Sequence, residues 1–467
     1  MKVLKDRIRR FFFPPSDSPR WILVLPYAVV IVLGLSLFGG GIPAWEYTNS
    51  SQFCGGTCHT MPPQNTAFLR STHSNVSCED CHVGRASFFT QFARKTGGLR
   101  ELYSMTFKLY EYPIHARHLQ PAVDTCEKCH RPDTLSAEKL LTIAHFGDSP
   151  TNPRTNILLA MKTGGGTDLE GYGSGIHWHT QNQVFYYATD TSAQEIPYVR
   201  LVNEDGSITE YVDIDSEFDA SNLDESLLKQ MDCTTCHNRI THNFKPPTKS
   251  VDESMARGAI SPEIPDIHRL AVEVLSTTYP SRDEAMKAID DLEEYYKTTT
   301  YYPGHGDQIH TAIEEIKAIY DRTVFHDQKI DWTTHPNNIG HFDSPGCYRC
   351  HDGSHLNNQD QAIRLECNLC HTIPTVSNEE DPFTRLEINN RTKPESHLNA
   401  NWINLHFRSF NYTCATCHTI QDLGGVSNTS FCSNSACHGS VFTFAGFDSE
   451  TLHEILESQI PTPPPTP

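Results

Sequence analysis

Residues 78–82 read CEDCH (Cys78, Cys81, His82). The same C-x-x-C-H pattern returns in CEKCH (Cys126, Cys129, His130), CTTCH (Cys233, Cys236, His237) and CYRCH (Cys347, Cys350, His351). It recurs again in CNLCH (Cys367, Cys370, His371) and CATCH (Cys414, Cys417, His418). Looser forms open and close the series: CGGTCH (Cys54, Cys58, His59) and CSNSACH (Cys432, Cys437, His438). Eight motifs use all 16 cysteines. C-x-x-C-H is the attachment signature of c-type haem, in which two thioethers hold the porphyrin and the adjacent histidine binds iron. Zinc ribbons need two cysteine pairs per metal and no histidine after each second cysteine. A disulfide framework gives that histidine no role either. The expected cofactors are therefore eight covalent c-type haems, with the eight motif histidines as proximal ligands. The three- and four-residue spacers of the end motifs lengthen the loop and can still bridge two vinyl positions.

The composition fits. At 467 residues the chain is long enough for two to four domains. Its apolar share is about 39%, counted in the convention for which ordinary domains reach about 45–50%. Haem would supply the missing apolar core. The 57 acids against 37 bases give a net charge of −20, which argues against a nucleic-acid partner. The expected fold is mostly α and irregular, a haem-packed multihaem cytochrome c with one N-terminal transmembrane helix and a small β-containing insert.

Residues 21–39, WILVLPYAVVIVLGLSLFG, carry no charge and suffice for one membrane span. Trp21 stands at one edge, Trp45 and Tyr47 at the other. Lys2, Lys5, Arg7, Arg9, Arg10 and Arg20 precede the span against Asp6 and Asp17. The positive-inside rule keeps this segment cytoplasmic and places everything after about residue 42 outside the inner membrane. A cleaved signal peptide would usually have a shorter apolar region, and Gly39 to Ala44 matches a cleavage site imperfectly. Without the six bases and two acids of the leading segment, 31 bases and 55 acids remain, a net −24.

The chain divides into a basic cytoplasmic segment (1–20), a transmembrane anchor (21–41) and a three-haem module (42–130). A β-containing insert with one haem (131–250), a helical spacer (251–330), a four-haem module (331–445) and a Pro-rich tail (446–467) follow. A helix is expected from Ala86 to about Leu109. In the insert, VFYYATD and IPYVRLV alternate apolar with polar residues, and Asn203 to Gly206 reads as a hairpin turn into SITEYVDI. Nine acids and no base lie between 201 and 228, a solvated acidic face or a docking site for a basic redox partner. SRDEAMKAIDDLEEYY, capped by Ser281, and DQIHTAIEEIKAIY read as helices.

Each iron needs a sixth ligand or an open position, and 17 of the 25 histidines lie outside the motifs. Bis-histidine ligation is the default, closing both faces of the iron and favouring electron transfer. The candidates near turns and motifs are His145, His177, His179, His242, His335, His341, His355, His397 and His406, with His73, His115 and His118 nearer the first motifs. His268, His310 and His453 fall on polar helices and read as surface residues. The first motif runs on as CGGTCHTM, so Met61 is either a thioether ligand, which raises haem potential, or packing against the porphyrin.

The order of a short basic N-terminus, one anchor helix, CGGTCHTMPP, HSNVSCEDCHVG and the basic amphipathic FARKTGGLRE resembles the NapC/NirT family of membrane-anchored cytochrome c quinol dehydrogenases. The resemblance covers residues 1–130. It implies that the haem nearest the membrane takes electrons from quinol, with Met61 as its axial ligand. It also implies Lys95 as an amine ligand to the second haem, where His73 competes, and Glu101 as acceptor of quinol protons. Two features depart from the family: the first spacer has three residues, and the chain runs far beyond a four-haem domain. The remainder, with MDCTTCHNRITHNF and HPNNIGHFDSPGCYRCHDGSH, is similar to larger inner-membrane multihaem cytochromes.

The expected function is an anchored conduit that oxidises the membrane quinol pool and relays electrons outward to a periplasmic or extracellular redox protein; a homo-oligomer stays open. The alternative is a terminal reductase of a nitrogen or sulfur oxyanion with one open iron. No C-x-x-C-K variant occurs, and the net −24 disfavours steering anions inward. A filament subunit is a third class, against which the anchor speaks.

Overall fold

The structure is a computed structural model that describes the chain apart from residues 1–8, 10, 17, 117–118, 132–137, 165–174, 366–368, 373–374, 378–398, 410–443, 447–448, 458 and 460–467. It is rich in helix, with two small antiparallel sheets.

Helix α1 runs over Arg20–Asn49, 30 residues in all. At 1.5 Å per residue it is about 45 Å long, more than a bilayer's hydrocarbon thickness. Its apolar side chains, among them Val24, Ile31, Leu33, Leu35 and Phe38, point outward. An exposed helix that is apolar all round belongs in lipid. It passes through Pro26 and one π turn at Leu37–Gly41, where three consecutive glycines lie.

Short helices follow: α2 (Ser51–Thr57), α3 (Pro62–Leu69), α4 (Cys78–His82), α5 (Phe88–Gly97) and α6 (Leu99–Thr106). The single helix expected over 86–109 is thus two. The chain breaks at the Gly97-Gly98 pair, where Gly98 N–H donates to Lys95 O three residues back.

Strands β1 (Lys139–Phe146) and β2 (Arg154–Met161) form a hairpin that the sequence pattern does not reveal. Helix α7 (Trp178–Gln181) precedes β3 (Gln183–Tyr187), β4 (Tyr198–Val202) and β5 (Ile208–Asp213), which form a meander with Tyr186 opposite Val199 and Leu201 opposite Thr209. The expected turn is present: Gly206 has φ +82° and donates to Asn203 O. Strand β6 (Lys229–Gln230) leads into α8 (Cys233–Cys236).

Helices α9 (Pro247–Ala256), α10 (Ile267–Ser276), α11 (Arg282–Lys297) and α12 (Gly306–Thr323) build the largest apolar core. Ile309, Ile313, Ile316 and Tyr320 form the buried stripe of α12, meeting Ile289 of α11 and Val251 of α9. Ser281 caps α11 by accepting from Glu284 N–H at 3.3 Å. His268, read from sequence as a surface residue, is 2% exposed because it faces Asp148 and Asp252.

Two-residue β7 (His355–Leu356) completes a five-stranded sheet ordered β6-β3-β4-β5-β7, and β8 (Thr375–Ser377) adds to β2. Helices α13 (Trp402–Ser409) and α14 (Glu450–Glu457) close the described chain. The sheets position motifs. Residues 232–236 follow β6, Cys350 packs among Val184, Tyr186 and Val199, and His371 bridges Met161 at the end of β2.

Candidate haem-binding sites

Four of the described motifs (Cys78–His82, Cys126–His130, Cys233–His237 and Cys347–His351) are built on one helical turn, α or 3-10. In α4 the helical turn puts Cys78 and Cys81 on one face, and Ser77 caps it by accepting from Asp80 N–H at 3.1 Å. Asp232 caps α8 in a capping box with Thr235. The N–H of His130, His237 and His351 donates to the carbonyl of the first cysteine of its own motif, at 2.8, 2.8 and 3.0 Å. Each imidazole is thereby fixed directly after the turn that carries both thiols.

Four motif histidines face a second histidine from elsewhere in the chain. Ring centres of His82 and His242 lie 6.2 Å apart, His130 and His73 5.9 Å, His351 and His179 5.7 Å, and His371 and His341 6.2 Å. Two imidazoles sharing one metal at about 2 Å per bond place their ring centres about 6 Å apart. The residues present therefore fit an iron between each pair. Between His351 and His179 the two Nε2 atoms face one another at 3.5 Å.

The outer nitrogens are held as metal ligands require. His242 Nδ1 faces Gln64 O at 3.1 Å, His179 Nδ1 faces Ile176 O at 2.8 Å, His351 Nδ1 faces Arg364 O at 2.6 Å, and His371 Nδ1 faces Thr372 O at 2.6 Å. A carbonyl only accepts, so Nδ1 carries the proton and Nε2 keeps its lone pair for a metal. Burial, with His82 and then Arg239 adding to it, pushes His242 down to about 4. Burial and then His179 push His351 down to about 4. Burial likewise lowers His82 and His179, and lowers His237 with help from His177 and His130. All these rings are neutral at pH 7, the state that binds iron.

Neighbouring described motifs lie close together in chain order. The Cys54 thiol lies close enough to Cys78, and the Cys126 thiol to Cys233, for each to shift the other's titration; Cys81 lies within electrostatic reach of Cys126 and Cys129, and Cys236 within reach of Cys347. His341 then stacks on Tyr348 with ring centres 4.5 Å apart, next to His371. Buried Arg349 ties two motifs, donating to Thr235 O at 2.9 Å.

A relative in Geobacter sulfurreducens, cytochrome c-type protein ImcH, is 36% identical over 379 residues, covering 79% of this chain and 74% of its own. The profile described as "NapC/NirT cytochrome c family, N-terminal region" matches residues 17–145. The chain belongs to the NapC/NirT cytochrome c family. With that family comes covalently bound c-type haem, and the resemblance read in residues 1–130 is shown. Cytochrome c nitrite reductase subunit NrfH of Nitratidesulfovibrio vulgaris is 32% identical over 91 residues, 20% of this chain and 55% of its own. No solved structure matches.

Other candidate residues of this family member fall as follows. Lys95 Nζ donates to Thr48 Oγ1 at 3.3 Å and lies 4.4 Å from the centre of the Trp45 ring, at the foot of α1. Phe88 and Phe92 pack on the same Trp45. Met61 stands at the N-cap of α3, its N–H on Cys58 O at 3.1 Å. The His59 ring faces Tyr110 at 6.2 Å. His335 is buried, pushed down to about 3 chiefly by burial and then by Arg239 and His115, and neither ring nitrogen has a hydrogen bond. The His115 ring lies 4.9 Å from it.

His355 differs: Nδ1 meets Asp352 at 2.9 Å and Nε2 meets Ile196 O at 2.6 Å, which occupies both nitrogens. His145 faces Asp252. His118, His397, Cys367, Cys414, Cys417, His418, Cys432, Cys437 and His438, with the side chains of Glu101 and His406, lie outside the described residues. The carbonyl partners of the ring nitrogens carry no sequence signal, since any residue supplies a carbonyl.

Proposed function

We propose that this chain is a membrane-anchored octahaem cytochrome c that oxidises quinol and relays electrons outward to a periplasmic or extracellular acceptor. One observation carries the reading: six described motifs lie near one another in chain order, starting from the foot of an apolar helix. Bound haem would supply a one-electron iron couple at each motif. The protein's own part is positional. Paired cysteines set the face of each site, and carbonyl-anchored Nδ1–H groups fix the tautomer of the ligating ring. At the four sites where a second histidine faces the motif histidine, both iron positions would be filled, which suits transfer over chemistry at iron. We read His73, His179, His242 and His341 as the distal ligands of His130, His351, His82 and His371, with His177 serving His237.

At the membrane end, Trp45, Phe88 and Phe92 offer an apolar, half-exposed edge beside Lys95. A quinol held there would give up two electrons to the first motif and two protons to water or an acid, for which Glu101 is the candidate. The basic leading segment sets the orientation, cytoplasm at the N-terminus and haem sites outside. By its name, one relative is a subunit of a reductase; we read this chain as donor to another protein rather than as the reductase itself.

The test is haem counting and EPR on the full-length protein in detergent. Eight haems, nearly all low-spin and reduced by menaquinol, are expected. A high-spin iron that shifts with nitrite or hydroxylamine, but not with quinol analogues, would replace the conduit by the reductase.

A further inference from the structure

Outside the described cysteine motifs, His145 of β1, Asp252 of α9 and His268 of α10 converge, their ligand atoms all within 4.8 Å of one another. His145 Nδ1 stands 2.9 Å from Asp252 Oδ2, and His268 Nε2 stands 3.2 Å from Asp252 Oδ1. Donors bound to one zinc at about 2.0–2.2 Å stand about 3.3 Å from one another, so both separations suit neighbouring ligands. Asp252 Oδ1 also accepts Phe146 N–H at 2.9 Å.

The deciding atom is His268 Nε2. It is buried and makes no hydrogen bond, although a carboxylate oxygen faces it. The other nitrogen, Nδ1, lies 2.8 Å from Asp148 Oδ1 and His268 N–H is held by Asn152 Oδ1 at 3.1 Å. Although burial opposes it, Asp252 and Asp148 together favour positive charge at this ring; with Asp148 on Nδ1, a cation between Nε2 and Asp252 would supply that charge, and such carboxylate–histidine pairs typically stand behind metal ligands. A buried Nε2 lone pair facing a buried carboxylate repels it unless a proton or a metal cation lies between, and no hydrogen bond is formed there.

We propose that His145, Asp252 and His268 bind one zinc-class divalent cation, with Asp148 orienting His268. Two imidazoles and one carboxylate form a three-ligand zinc set that leaves a fourth position for water. That position falls on the side of half-exposed His145, while Asp252 and His268 close the inner side. The cation joins the β1–β2 hairpin to helices α9 and α10, so its role is to clamp the sheet onto the helical core. It involves no haem motif and stands independently of the conduit reading. It does exclude His145 as a haem ligand.

The experiment uses the full-length cytochrome in detergent, stripped with dipicolinate and titrated with zinc chloride. Zinc is measured against haem iron by mass spectrometry and its surroundings by zinc-edge X-ray absorption. One tight zinc per chain is expected, ringed by nitrogen and oxygen with two imidazoles and no sulfur. Affinity should fall at least tenfold in His145→Gln and in Asp252→Asn, and dipicolinate should lower the melting temperature of the native protein but not of His145→Gln. Because His145 is half-exposed, that variant should keep its full haem content and decides the matter if Asp252→Asn fails to accumulate. No tight zinc, sulfur ligation, or binding unchanged in His145→Gln would each overturn the proposal.

Discussion

The stretch from Pro247 to Thr323 and the stretch from Ser50 to His130 fill their interiors in opposite ways. The first buries Val251, Ile260, Ile264, Ile267, Ile289, Ile309, Ile313 and Ile316 almost completely, an ordinary aliphatic core without a cysteine. The second, with six cysteines, buries only Ala67, Phe68 and Ala122 among the hydrophobic side chains of its described residues. Phe88, Phe89, Phe92, Tyr103 and Phe107 stay exposed. Aliphatic packing cannot be what orders the second region; the motif geometry can, if haem is its interior. The two regions should therefore fail differently when damaged.

The largest effect is expected from Cys78→Ser with Cys81→Ser. Where the cofactor is the interior, removing its attachment removes the packing, and the protein should fail to accumulate or become open to trypsin across residues 50–130. A full-length, protease-resistant product with one haem fewer would break the comparison, since that region would then hold without its cofactor. Ile313→Ala should act only on stability. Loss of a fully buried branched side chain costs about 2–5 kcal/mol. Thermal unfolding should detect that loss while haem count and visible spectrum stay native. A changed haem spectrum would mean that the two interiors are one.

Much of this difference is written in the sequence, and the unread parts share a cause. A C-x-x-C-H motif is local, so it was legible residue by residue, as were the Ser281 cap and the Asn203–Gly206 turn. The β1–β2 hairpin was not: KLLTIAHF and RTNILLAM lack clean alternation and hold leucine, alanine and methionine, which favour helix. The partners of the motif histidines are equally hidden, His179 reaching His351 across 172 residues. His268 stands between apolar Ile267 and charged Arg269, which leaves its facing undecided, and only the fold brings it Asp148 from 120 residues away.

Charge sharpens the comparison within the helical region. Burial alone would raise Glu315, yet hydrogen bonds from Arg322 and Ser254 and the charges of Arg322 and Arg257 hold its carboxyl below the ordinary value. A depressed carboxylate stabilises the fold above its unfolded pKa and loses that contribution as pH falls through the lower, folded value. Glu315→Gln should therefore cost roughly 1–3 kcal/mol at pH 7, because Arg322 is left with weaker partners. The deficit against native protein should shrink as pH drops below about 4, the ordinary glutamate range. A deficit independent of pH would assign the loss to packing rather than charge.

The smallest test concerns one hydroxyl. Ser281 Oγ accepts from Glu284 N–H, and Asp283 and Glu284 place negative charge in the first turn of α11. Both satisfy the positive end of that helix. Ser281→Ala removes the acceptor and leaves the acids, so it should cost about 1 kcal/mol. In chemical denaturation this lowers the midpoint without altering the slope, because the buried surface is unchanged. Ser77 caps α4 in the same manner, with its oxygen on Asp80 N–H at 3.1 Å. There the turn carries Cys78 and Cys81, so Ser77→Ala should leave stability nearly native: thioethers to haem would hold the turn in place of the cap. Equal losses at Ser77 and Ser281 would mean that the motif turn relies on ordinary helix chemistry, and the contrast between the two regions would narrow to their cores.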